Sequence, residues 1–188
     1  MQFAALARTA VLALGLVACG RQDDADSDAR FEWLGAQTAS HKLWVRQALN
    51  GNDAIRFQDG WYNVENDPKS GGAWRWMMGR GTLRLLTKPE GAAAPVDMQL
   101  VVFGWVPQEN LGFRSQHMTF SANGHVLEEF DPPKETFEHA VVVPAWLLSG
   151  GERIDFVISV TNTTRPNGDW RDLGFATTGF HWKPRTSS

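Results

Sequence analysis

From Ala54 onward the chain consists of short segments in which apolar and polar residues alternate, with turn residues between them. Between Ile154 and Val160, for example, every second residue is a large apolar one. A period of two places one face of a strand against a core and the other face toward solvent. Because no long helical pattern interrupts these segments, the body of the chain is expected to be all-β.

The pattern predicts roughly eight to ten strands, a number that fits a sandwich of two antiparallel sheets, most simply in jelly-roll order. Asn123-Gly124 is a strong signal for a two-residue hairpin. Pro144 to Leu148 reads as a single helical turn that ends at Gly150. The predicted strands are Ile55–Phe57, Trp61–Glu65, Trp74–Met78, Thr82–Thr87, Val96–Val106, Met118–Phe120, Val126–Phe130, Thr136–Val143, Ile154–Thr161 and Leu173–Trp182.

The N-terminus has the features of a secretory signal. Thr9–Val17 is an apolar run that follows Arg8 and is too short to span a membrane. The tetrapeptide that ends at Cys19 (LVAC) resembles the lipobox of bacterial lipoproteins. This resemblance implies a signal peptide over residues 1–18, cleavage before Cys19 and acylation of that cysteine, with palmitate among its acyl groups. The alternative is an ordinary secretory signal with an incidental cysteine.

Cys19 is the single cysteine of the chain. If it is acylated, no thiol remains for a disulfide, a zinc site or a nucleophile. Anchoring through more than one acyl chain gives stable membrane residence. Gly20, rather than aspartate, follows the cysteine, which by the sorting rule of enteric lipoproteins indicates the outer membrane. The expected location is therefore the cell envelope, with the domain facing the periplasm or the cell surface.

Residues 19–30 form an acidic segment whose low apolar content predicts a flexible tether. Residues 31–188 are expected to form one domain, which begins with a short segment in which Ser40 caps a helix that extends to Leu49. A strand over Lys42–Arg46 is the alternative. The formal net charge is −3 and no basic block exists, so nucleic acid is not expected as a partner.

Large aromatic residues cluster around two charges between Gly60 and Leu86. The chain holds nine tryptophans, and an indole face packs well on the C–H face of a sugar ring while neighbouring charged groups bond its hydroxyls. Indoles also fill the space between two sheets, where each buries about 150–250 Å², and burial is the expectation for the Trp74 and Trp76 pair. The cluster comprises Trp61, Tyr62, Trp74 and Trp76 with Glu65 and Arg75.

A second group of charges lies late in the chain, where Asp169, Arg171 and Asp172 are close in sequence. We expect Glu65 to pair with Arg75 at one end of the sandwich and this late segment to meet them there. Such groups either form a ligand site or hold the loop ends together as a structural ion-pair network. The sequence leaves both interpretations open.

Two motifs resemble those of a β-sandwich module of bacterial cell-surface glycan proteins, often appended to glycosyltransferases. The first combines Gly60–Glu65 (GWYNVE) with Trp74–Trp76 (WRW) and the alternating strand Thr82–Leu86. The second joins Pro166 to Asp169–Phe175 (DWRDLGF). In their order they cover most of the chain after the tether. The resemblance implies a carbohydrate setting and a carbohydrate-binding-like fold rather than a defined reaction.

No catalytic motif is present: the chain has no G-x-S-x-G, no H-E-x-x-H and no phosphate-binding glycine loop. The five histidines are scattered without ligand spacing. A hydrolase would need two carboxyl groups at a defined separation, and Glu65 with Asp172 is one conceivable pair. A calcium site in the loop between Asn162 and Asp172 is also conceivable, but no EF-hand-like spacing supports it.

We therefore predict a non-catalytic envelope lipoprotein with no cofactor and no metal, whose sandwich binds a cell-envelope glycan. The alternative is a structural lipoprotein that docks an envelope protein without binding sugar. The candidate ligand-binding residues are Trp61, Glu65, Trp74, Arg75, Asp169, Trp170, Arg171 and Asp172.

Overall fold

The structure is a computed structural model that describes residues 49–88, 92–106, 115–134 and 136–185. The predicted signal peptide, Cys19, the tether and the segment up to residue 48 lie outside the described residues. Leu49 and Asn50, which are helical, agree with the end of the predicted helix at Leu49. Whether the rest of that segment is helix or strand stays a prediction.

After Asn50, the described residues contain ten strands and one 3₁₀ helix (Ala145–Leu148). Each predicted strand has a counterpart, and the bounds differ by one to three residues at most ends. The strands are β1 (Ile55–Phe57), β2 (Trp61–Asn66), β3 (Ala73–Met77), β4 (Arg80–Leu86), β5 (Met98–Trp105), β6 (Met118–Ala122), β7 (His125–Phe130), β8 (Thr136–Val143), β9 (Arg153–Val160) and β10 (Phe175–Pro184).

The strands form two five-stranded antiparallel sheets. The first sheet has the order β1-β4-β9-β6-β7 and the second has the order β2-β3-β10-β5-β8. Four antiparallel pairs are nested inside one another along the chain: β6 with β7, β5 with β8, β4 with β9, and β3 with β10. This nesting is the jelly-roll arrangement, to which β1 and β2 each add an edge strand. The predicted antiparallel sandwich is therefore confirmed.

The core lies between the inner faces of the two sheets, as the alternation predicts. In β5 the even-numbered residues Met98, Leu100 and Val102 join the core cluster. They meet alternate residues of β9 and β4 from the first sheet, among them Phe156 and Leu83, which are fully buried. Because side chains alternate along each strand, the odd-numbered residues of β5 lie on the outer face of the second sheet.

Two tight turns between strands contain residues with positive φ. Asn123 and Gly124 both have positive φ, 47° and 83°, so the predicted Asn-Gly hairpin between β6 and β7 is confirmed. Gly60, with φ 86°, opens β2, and a Cβ at this position would lie 1.8 Å from the carbonyl oxygen of Arg80. The chain can therefore pass this close to β4 only with glycine, and this contact sets where Trp61 begins β2.

Candidate functional site

The loop that precedes β10 lies against the edge strand β2, so the two predicted charge groups meet. The hydroxyl of Tyr62 accepts a hydrogen bond from the backbone N–H of Asp172 at 3.1 Å. Within the loop, Thr164 and Leu173 pair through two backbone hydrogen bonds of 2.9 and 2.7 Å. These contacts hold the loop as a defined hairpin-like segment beside the edge of the second sheet.

Arg171 is the centre of the site. Its guanidinium forms a fork with Asp169, with Nε donating to Oδ1 at 2.9 Å and Nη2 donating to Oδ2 at 2.7 Å. Nη1 donates to Oε1 of Glu65 on β2. The side chains of Arg171, Asp169 and Glu65 are 20, 21 and 32% exposed, so the network is only partly open to solvent. One cation thus joins a carboxylate of the loop to a carboxylate of the sheet.

The charges in this network stabilise one another. The hydrogen bonds from the Arg171 side chain and backbone lower the pKa of Asp169 to about 2. The hydrogen bonds to Asp169 and then to Glu65 raise the pKa of Arg171. Both groups are therefore charged throughout the neutral pH range, and Asp169 is an ion-pair partner rather than a proton donor.

Trp170 stands between the two anchored residues Asp169 and Arg171 and is 77% exposed. Its indole meets the ring of Tyr62 edge-on, with ring centroids 5.9 Å apart and an interplanar angle of 89°. The Arg171 guanidinium carbon lies 5.3 Å from the centroid of the same Tyr62 ring. An indole is thus presented to solvent on a segment whose neighbours on both sides are fixed by hydrogen bonds.

These side chains border a pocket of about 560 Å³. Aromatic rings, an amide and charged groups all contribute to its wall, a mixture typical of sites that bind polar ligands with apolar faces. The residues that line the pocket are Trp61, Tyr62, Asn63, Glu65, Gly168, Asp169, Trp170 and Arg171.

Trp61 faces the core rather than the solvent. Its indole N–H donates to the carbonyl oxygen of Thr82 at 3.0 Å, and its ring meets Phe57 and Phe180 edge-on at 5.2 and 5.6 Å. These contacts make Trp61 the rigid inner wall of the pocket.

Asp172 is not part of the Arg171 network. Its carboxylate pairs with Arg165 at 2.8 Å, and both side chains are more than half exposed.

The predicted pair of Glu65 with Arg75 is wrong. In the register of β2 and β3, Glu65 lies opposite Trp74 and Arg75 lies opposite Val64, so the two charges project from opposite faces of the sheet. Arg75 points between the sheets, where its guanidinium carbon lies 4.1 Å from the centre of the Phe57 ring and burial lowers its pKa. Its Nε is buried and has no hydrogen-bond partner among the described residues.

The expected burial of Trp74 and Trp76 in the core is also wrong. Both lie on the outer face of the second sheet, because the alternate residues Arg75 and Met77 take the inner positions. There they meet Trp105 of β5, at ring-centroid distances of 6.1 and 5.9 Å. We call Trp74, Trp76 and Trp105 the outer tryptophan cluster.

Trp105 was not among the candidate residues, although the sequence contains the signal that identifies it. The strand that it ends is almost continuously apolar, so its sequence alone does not separate an inner face from an outer face. Once Met98, Leu100 and Val102 are taken as the inward set, the period of two places position 105 outward.

Neither a metal site nor a membrane span is found in the described part of the chain. No group of three or more His, Cys, Asp or Glu residues there is arranged to hold a metal ion. Among the same residues, no helix has the length and apolar character needed to cross a membrane.

The chain matches no protein-family model and no curated protein. Among solved structures it is similar to the CBM22-1–GH10 modules of endo-1,4-β-D-xylanase 10B from Clostridium thermocellum, which were solved in complex with xylohexaose. The identity is 13% and the TM-score 0.44, over 72% of this chain and 26% of the xylanase chain. A likeness of this size carries no argument about function, so the functional proposal depends on the site itself.

Proposed function

We propose that the protein is an outer-membrane lipoprotein anchored through Cys19, and that its sandwich binds a cell-envelope glycan at the pocket beside β2 without acting on it. The observation that carries the proposal is the 77% exposure of Trp170 on a loop that Arg171 clamps to the sheet. An exposed indole forgoes the favourable free energy of burial, about 25 cal/mol for each Å² of apolar surface. A ligand that covers it would recover that free energy.

The chemistry around Trp170 suits a carbohydrate. A sugar ring offers an apolar face of C–H groups to an indole and a rim of hydroxyls to polar partners. Arg171 bonds Oε1 of Glu65, so Oε2 of the same carboxylate can accept a hydrogen bond from a ligand hydroxyl. Asn63, which is exposed, lines the same pocket and supplies both a donor and an acceptor.

The state of the carboxylates supports binding rather than hydrolysis. A glycosidase needs a carboxylic acid whose pKa is raised, so that it carries a proton to the leaving group. Here the hydrogen bonds from Arg171 lower the pKa of Asp169 to about 2. Glu65 is paired with Arg171 and Asp172 with Arg165, so each of these three carboxyl groups already has a cationic partner.

The test uses purified protein and measures glycan binding on an array of cell-envelope polysaccharides, followed by titration of tryptophan fluorescence. We expect Trp170→Ala to weaken binding by more than about tenfold, as is common for a tryptophan at the centre of an interface. Trp146→Ala is the matched control, because Trp146 is 63% exposed but does not line the pocket. Absence of binding to every glycan, or equal effects of the two variants, would overturn the proposal.

A second candidate function, docking of a protein partner, is favoured by another exposed apolar patch. Val126 and Trp146 are 64 and 63% exposed, and the ring of His125 lies 5.3 Å from that of Trp146. Cross-linking in intact membranes followed by mass spectrometry would test this function. A defined partner that Trp146→Ala releases, and that added glycan does not displace, would support docking in place of sugar binding.

A further inference from the structure

Resting on the proposed function, we infer that the ligand is an extended glycan chain, which runs from the Trp170 pocket across the outer face of the second sheet to the outer tryptophan cluster. The alternative for the same pocket is a single sugar or a chain end. The two differ in whether residues outside the pocket contribute to affinity.

The pocket and the outer tryptophan cluster are continuous on one face of the second sheet. Glu65, which lines the pocket, lies directly opposite Trp74 in the register of β2 and β3. Directly opposed residues of an antiparallel pair project from the same face, with Cβ atoms about 5 Å apart. The last polar group of the pocket is therefore the immediate neighbour of the first indole of the cluster.

The outer tryptophan cluster forms an open row across the second sheet. Ala176 of β10 is in register with both Trp76 and Trp105, so a small residue separates two indoles in one row across the sheet. Trp105 meets Trp74 and Trp76 edge-on, with interplanar angles of 69° and 63°. All three indoles are only partly buried, so part of each is open to solvent. The result is an aromatic surface rather than a closed core.

The path from the pocket to Trp105 is longer than one sugar. From β2 to β5 the path crosses three strand spacings, or about 14 Å, before the distance to Trp170 is added. This distance exceeds the length of one sugar ring. A single sugar in the pocket would leave the outer tryptophan cluster without a role in binding, whereas a linear chain of several sugars reaches both.

A buried donor on Trp74, between the pocket and Trp105, favours a ligand with hydroxyl groups. The indole N–H of Trp74 is buried and has no hydrogen-bond acceptor in the described residues. A buried donor without a partner is unfavourable, because it has lost its hydrogen bonds to water. A sugar hydroxyl that reaches it after a small rotation of the ring would offset this cost, and an apolar protein surface would not.

The experiment is calorimetric titration of the full chain in detergent with xylo-, cello-, chito- and manno-hexaoses and with the corresponding disaccharides. We expect the preferred hexaose to bind at least about tenfold more tightly than its disaccharide. Trp105→Ala should abolish this difference without weakening disaccharide binding, and Trp105→Tyr should retain part of it. Trp170→Ala should weaken both ligands. Circular dichroism verifies that the variants fold.

The outcomes separate the two proposals. Equal affinity for a hexaose and its disaccharide, or an unchanged hexaose affinity in Trp105→Ala, overturns the extended chain and leaves sugar binding at the pocket intact. If none of the hexaoses or disaccharides binds and the envelope polysaccharides do not bind either, both proposals fall. A hexaose that binds independently of Trp170 but requires Trp105 would place the site on the cluster alone and contradict the continuous path.

Discussion

Arg171 donates a hydrogen bond to Glu65 across 106 positions of the chain. The same guanidinium holds Asp169, two residues before it, at 2.7 and 2.9 Å. Trp170 is therefore held from both sides, and little conformational entropy would be lost when a ligand covers its indole. Pre-organisation of this kind raises affinity without any new contact.

Replacement of Arg171 should weaken glycan binding even though Trp170 is retained. In Arg171→Met the loop loses its ion pair with Glu65 of β2, and Asp169 and Glu65 are left without their shared cation. We expect the loss in affinity to approach that of Trp170→Ala, while the free energy of unfolding falls by only about 1 kcal/mol because the pairs are partly exposed. Titration and chemical denaturation measure the two effects.

Arg165→Met is the matched control, because Arg165 belongs to the same loop and its ion pair with Asp172 is exposed. It should leave both affinity and stability nearly unchanged. If it weakens binding as much as Arg171→Met does, the net charge of the loop, and not the ion pairs of Arg171, determines the affinity.

The stability of the first sheet should depend on pH through His117. A hydrogen bond of 2.7 Å to Asp131 raises the pKa of His117 above its ordinary value of 6.5. A raised pKa in the folded state gives stabilisation that is complete below pH 6.5 and is lost as the pH rises through the folded-state pKa. Thermal unfolding should therefore occur at a higher temperature at pH 5.5 than at pH 8.

Asp131→Asn removes the charged acceptor and should reduce this pH dependence, whereas a pH profile identical to that of the unchanged protein would contradict the assignment. NMR titration of the His117 ring signals gives a direct second measurement. It should show a midpoint that moves toward 6.5 in the variant.

Gly60 should be among the least replaceable residues near the site. In Gly60→Ala the new methyl group would lie 1.8 Å from the Arg80 carbonyl oxygen, at a φ of 86°. We expect a loss of more than about 2 kcal/mol in the free energy of unfolding. Gly71→Ala is the control for backbone strain alone: φ is 68° there but no atom lies within 4 Å, and the loss should be about 1 kcal/mol. Equal losses would show that the contact with β4 relaxes easily.

The anchor can be tested apart from the sandwich. Cys19→Ser should abolish incorporation of labelled palmitate and move the protein from the membrane fraction to the soluble fraction. Glycan binding by the released chain should be unchanged, because the pocket residues all lie between positions 61 and 171. Retention of Cys19→Ser in the membrane fraction would contradict anchoring through this cysteine.

The strands were predictable because local alternation dictates them. Segments such as Thr136–Val143 and the Asn123-Gly124 turn have the same bounds in the structure as in the sequence pattern. The meeting of Glu65 with Asp169 and Arg171 was also expected, since both motifs lie at strand ends. For the strands and the turn, the information is contained within a few consecutive residues.

The predictions that proved wrong concern which face of the sheet a side chain projects from. Ala73–Met77 carries bulky residues on both faces, so its pattern does not separate inside from outside, and the arginine rather than the two tryptophans points inward. The choice of Arg171 over Arg75 as the partner of Glu65 depends on the register between β2 and β3. Register is set by pairing between strands, which no single segment encodes.

The nested strand order also has a consequence for when the proposed binding surface forms. β10 is the last of the described strands, yet it lies in the middle of the second sheet between β3 and β5. Ala176 of this strand underlies the outer tryptophan cluster, and the loop before it carries Trp170. Contacts between distant parts of a chain form late and slowly during folding. The proposed binding surface is therefore expected to form only after β10 has joined the second sheet.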